Sequence, residues 1–137
     1  MEYEDFMQEV KRRAELEDDL QTQRAVKATL STIAERLHAH QADQLARQLP
    51  KELKPYLKQQ DTYKDLAMEE FYNVVSQRES IGFPMARQHA RAVMSVVRDR
   101  VPLEEIRDVL AELPDEYVDL FNFGSDGSEW RRMDSDR

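Results

Sequence analysis

An all-α fold, with two tandem copies of a four-helix unit packed into one pseudo-twofold bundle, is what this sequence predicts, and three observations predict it. Helix breakers are scarce: 137 residues hold three Gly and five Pro, which leaves long stretches rich in helix-favouring Ala, Leu, Glu, Arg and Gln. The chain also repeats itself, residues 3–16 aligning with 68–81 at an offset of 65 and residues 20–57 with 84–121 at an offset of 64. Across these positions 18 of the 22 apolar residues in the first copy meet an apolar residue in the second, where chance would give about 11. Within each copy the apolar residues recur every three or four positions, the period of a helix with one buried face.

Taken in order, helix one spans about 3–14 and 68–79, with Phe6, Met7, Val10 and Ala14 on one face and Phe71, Tyr72 and Val75 in the second copy. Helix two, about 20–38 and 84–101, repeats a stripe of Val26, Leu30, Ile33 and Leu37, then Ala90, Met94, Val97 and Val101. A third helix carries Ala42, Leu45, Ala46 and Leu49, then Ile106, Val109, Leu110 and Leu113. A short fourth carries Leu53, Tyr56 and Leu57, then Tyr117, Leu120 and Phe121. Pro50, Pro84, Pro102 and Pro114 are expected at first helical positions, where a missing N–H is harmless. Pro55 falls inside the fourth piece and implies a single turn or a 3-10 segment there. The organisation expected is repeat one over 1–57, a linker over 58–66, repeat two over 67–121 and a flexible acidic tail over 122–137. One copy alone would bury only about 60 % of its unfolded surface, so the two copies are expected to share one core.

Charge and motif content narrow the function classes. With 28 acidic and 20 basic residues the net charge is −8, which repels phosphate backbones and anionic headgroups over about 8 Å at physiological salt. Nucleic acid and membrane are therefore not expected as partners, and no apolar run approaches the roughly 18 residues of a bilayer span. Residues 67–121 carry 11 acids and six bases, so −5 of the −8 lies in the second copy. The absence of Cys excludes disulfides, thiolate metal sites and thiol nucleophiles, and suits a reducing cytoplasm. The acidic N-terminus, Met1 to Phe6, lacks the features of a signal peptide. Phosphate-binding glycine loops, the serine-hydrolase elbow and the zinc-protease helix motif are all missing.

The opening Tyr3-Glu4-Asp5-Phe6 and Met68-Glu69-Glu70-Phe71, the run His89-Ala90-Arg91-Ala92-Val93, and the endings Leu49-Pro50-Lys51-Glu52 and Leu113-Pro114-Asp115-Glu116 resemble the bacterial domain of unknown function 2267 family over about residues 3–121. The resemblance implies a bacterial cytosolic helical protein and carries over no site residues.

Individual residues then divide between chemistry and packing. His38 and His40 sit near the expected end of helix two, where the macrodipole favours a cation, and their spacing points them apart on a helix, so no metal is expected. His89 stands out because its counterpart in the first copy is Ala25, and a residue present in one copy only is not demanded by the shared fold. Glu52 and Glu116 are expected at N3 of the fourth helices, capping them, with Arg36 or Arg100 within reach. Glu104, Glu105 and Asp108 make the third helix of the second copy acidic, the wrong sign for a DNA-recognition helix. Met68, Met85 and Met94 belong to the core or, where exposed, to a groove for a partner.

These observations point first to a non-enzymatic helical interaction module without catalytic residues, metal or cofactor. It would bind a protein partner or a second copy through the acidic, Met-containing second half, with His89, Met85, Met94, Glu104 and Glu105 as candidate binding residues. The alternative is a small-molecule binding protein with an apolar pocket between the two repeats and His89 as its polar contact.

Overall fold

The first helix, α1 (Tyr3–Arg13), forms where the sequence places Phe6, Met7 and Val10 on one buried face. In the computed structural model, which describes residues 2–58 and 63–121, it is followed by α2 (Asp19–Arg36), α3 (Ala39–Arg47), a 3-10 turn (Lys51–Leu53) and α4 (Lys54–Leu57). After the connecting segment come α5 (Met68–Glu79), α6 (Phe83–Arg100), α7 (Leu103–Ala111), a 3-10 turn (Asp115–Tyr117) and α8 (Val118–Phe121). The fold is all-helical, with no strand among the described residues. Part of the expected linker, residues 59–62, and the expected tail, 122–137, lie outside them.

The helix ends explain themselves locally. Asp18 caps α2, its carboxylate accepting the Gln21 N–H at 2.8 Å, which satisfies one donor the first turn leaves open. Glu70 accepts the Ala67 N–H at the start of α5 at 2.8 Å. α1 and α5 both end in a left-handed residue that is not glycine, Glu15 at φ 56° and Ser80 at φ 59°. Beyond each, a backbone N–H reaches back five residues, Leu16 to Lys11 O at 3.0 Å and Ile81 to Ser76 O at 3.1 Å, the closure that ties off exposed carbonyls at a helix end. Pro55 sits in the first turn of α4, directly after a 3-10 turn, as its fixed φ and missing donor require.

Four local expectations change. The second helix stops at Arg36 rather than 38, because Leu37 turns extended at φ −99°, ψ 153°. His38 therefore starts α3 instead of ending α2: Glu112 Oε1 accepts its backbone N–H at 3.1 Å and stands 3.0 Å from its Nδ1. Pro50, Pro102 and Pro114 precede their helical turns as extended cap residues, and Pro84 lies within the first turn of α6 behind Phe83. Glu116 does not cap its own helix. Its carboxylate reaches the Met68 N–H at the start of α5 at 3.0 Å, while Arg36 is taken up elsewhere.

Packing joins the two halves of the chain. α2 lies against α5 and α6, α1 against α6, and α3 against α7. Phe6, Leu30, Ile33, Phe71, Met94, Tyr117 and Phe121 belong to one continuous apolar cluster, each essentially without solvent contact. Burial of such side chains, about 1.5–3 kcal/mol each, is the main force holding the bundle. The connecting segment is pinned to the end of α2. Buried Arg36 donates to Leu66 O at 3.0 Å and Tyr63 Oη at 2.9 Å, lies over the Tyr63 and Tyr117 rings and pairs with Asp65 at 3.3 Å.

Candidate functional site

The polar groups that the helices carry inward gather along the seam between α2, α5 and the start of α6. Glu79 is the last residue of α5 and His89 lies inside α6. The left-handed turn at Ser80 folds one helix onto the other, bringing His89 Nδ1 to 2.9 Å from Glu79 Oε1. Their side chains are only 5 % and 3 % exposed. His89 Nε2 and Glu79 Oε2 are buried with no protein partner, so the pair is bonded on one side only, an expensive arrangement in a low-dielectric interior. The corresponding positions of the first half are Ala25 and Ala14, both buried. Four apolar positions of the first half meet a non-apolar residue in the second, Ala14, Leu20, Ala25 and Ala34. Two of those four mismatches are this one contact.

Glu79 also borders an open groove of about 640 Å³ lined by Arg24, Lys27, Ala28, Ser31 and Glu35 of α2 and by Arg78, Glu79 and Ser80. Arg78 crosses it, donating to Glu35 Oε2 at 2.6 Å, Thr32 Oγ1 at 3.0 Å and Ser31 Oγ at 3.2 Å. Lys64 Nζ stands 3.2 Å from the other Glu35 oxygen. A comparable set lies between α1 and α6: Arg13 donates to Ser95 Oγ at 3.0 Å and pairs with Asp99 at 2.9 Å. A second groove there, of about 550 Å³, includes Arg13, Arg87, Arg91, Ser95 and Arg98. Its cations have carboxylates at hand, Arg87 and Arg91 at Asp119 and Arg98 at Asp99. Hydrogen bonds from Arg12 and then Arg13 hold the Glu9 carboxyl down at about 2. Burial works against the charge on Asp99, but hydrogen bonds from Arg98 and Arg13 keep its carboxyl below the ordinary value. Tyr72, raised by burial and then by its hydrogen bond to Asp119, stays a phenol.

The five residues singled out from sequence do not converge. His89 is buried on Glu79, Met94 is fully inside the core, and Met85 is 49 % exposed on the first turn of α6. Glu104 is exposed on α7. Glu105 accepts from Gln41 Nε2 at 2.7 Å in the α3–α7 seam, and burial, then Asp108, raise its carboxyl above the ordinary value. None of the five lines either groove. Arg78 was conspicuous in sequence as a charge shared with Arg13, whereas Glu79 and Arg24 were missed; the matched loss of Ala14 and Ala25 was the available signal for Glu79. Among the described residues no group of three or more His, Asp or Glu is placed to hold a metal ion, and no helix is long and apolar enough to cross a membrane.

Among curated proteins, none matches the chain. The model of one family, described as an uncharacterized conserved protein (DUF2267), matches residues 3–120, from the first turn of α1 into the last turn of α8. The helical chain described above therefore belongs to the DUF2267 family.

Proposed function

We propose that the chain is a duplicated, non-enzymatic helical module of the bacterial cytoplasm that binds a protein partner or a second copy through the outer face of α7. The observation that carries this reading is that face itself. Leu103, Glu104, Asp108 and Ala111 are all exposed, side by side at helical spacing, and present an apolar contact framed by negative charge, complementary to a basic amphipathic segment. Two His–carboxylate pairs among the described residues have other roles. His89–Glu79 is closed to solvent, and His38–Glu112 holds the start of α3.

The duplication is supported by contacts that recur in exchanged roles. Arg13 reaches Ser95 and Asp99, while Arg78, its aligned counterpart, reaches Ser31 and Glu35, the counterparts of Ser95 and Asp99. Gln41 and Glu105, which align with each other, touch, as residues beside a pseudo-twofold axis would. The apolar-pocket alternative has no comparable support, since Met94 and His89 lie in packed surroundings.

Native mass spectrometry of the protein isolated gently from its own cells tests the reading. Expected are multiples of the 16.2 kDa chain or a co-eluting protein, both lost in Glu104→Lys/Asp108→Lys with the helical circular dichroism unchanged. A bare monomer, or assembly indifferent to the charge reversal, would overturn it.

A further inference from the structure

The groove between α2 and the end of α5 holds cations that the rest of the fold does not use. Arg78 and Lys64 both approach Glu35, and Glu79 turns one oxygen to His89 while the other stays buried, so each carboxylate of this groove has at least one partner. Arg24 and Lys27 do not: both are exposed, and neither makes an ion pair among the described residues. They stand one turn apart on α2, where like charges oppose helix stability by a few tenths of a kcal/mol. In the second groove the aligned residues are Gln88, uncharged, and Arg91, which reaches Asp119. Among the described residues, the unneutralised cation pair thus belongs to this groove and not to the second, in a chain whose net charge is −8.

We infer that this groove binds a small, multiply charged phosphate anion, held by Arg24, Lys27 and Arg78. The volume of about 640 Å³ lies in the range of small-molecule sites. Ala28, small and buried at the base, leaves room beside three cations whose hydrogen bonds to an anion would be charge-assisted. The site uses no residue of α7, so it stands or falls independently of the proposed partner face. A long polyanion is disfavoured because the overall negative charge repels its flanks.

Titration calorimetry of the full chain with pyrophosphate at low ionic strength is the test. One-to-one binding with a Kd below about 1 mM is expected, weakened at least about tenfold in Arg24→Ala/Lys27→Ala. Arg47→Ala/Lys51→Ala, which removes the same charge outside the groove, is expected to leave the affinity within about twofold. Lys27→Gln alone, an exposed and structurally mild change, is expected to weaken binding by an intermediate amount. No saturable binding, or equal weakening in both double variants, would overturn the assignment.

Discussion

A histidine and a carboxylate taken out of water together each lose hydration, and the contact between them offsets that loss only while both are present. His89→Ala or Glu79→Ala alone is therefore expected to destabilise the fold by about 3 kcal/mol, because a buried polar group is stranded. The double variant reinstates the pair of alanines that the first half already accommodates at Ala14 and Ala25. It is expected to be less destabilised than the sum of the singles, by at least about 1.5 kcal/mol in a urea-denaturation cycle; additive losses would show that the two side chains act only as filler. At this scale the sequence was half legible. His89 was conspicuous against Ala25, but Glu79 was passed over, and only the tertiary turn at Ser80 makes the two neighbours. Arg78 stood out as the counterpart of Arg13, but its partners were hidden for the same reason, lying 43 to 47 positions away.

Two elements, α1 and α5, end in residues held left-handed without being glycine. A side chain there opposes a conformation that glycine adopts freely. Glu15→Gly is expected to stabilise the protein by about 0.5–1 kcal/mol in thermal melts, and Ser80→Gly to act in the same direction; a loss of stability in both would mean that the side chains hold these turns in place. The helices themselves were plain from apolar spacing, because burying one face of a helix leaves its period in the sequence. Their boundaries were less so. Nothing local marks Leu37 as the residue that leaves the helix, and His38 and Glu116 are assigned by partners on other helices, which periodicity does not encode.

For the whole molecule, the core runs through both halves, and each half alone would leave the apolar faces of α1, α2, α5 and α6 against water. A fragment of residues 1–58 is expected to be largely unstructured by circular dichroism, and to regain helicity when mixed with residues 63–137. Independent folding of the first fragment would refute the shared core as the source of stability. The shared core was legible because a unit of this size has too little interior of its own, whereas the polar seam was not, since reciprocal ion pairs leave no periodic trace.

The touching pair Gln41 and Glu105 has an implication for how such halves recognise one another. On the proposed pseudo-twofold arrangement, two copies of the second half would set Glu105 against its own twin, carboxylate against carboxylate. Two copies of the first would set amide against amide. The mixed pairing removes that repulsion, while two amides can also bond each other, so the seam disfavours a match between two second halves and accepts the unlike one. A single continuous chain then guarantees that match at every folding event, and leaves each half free to diverge on its outer surface.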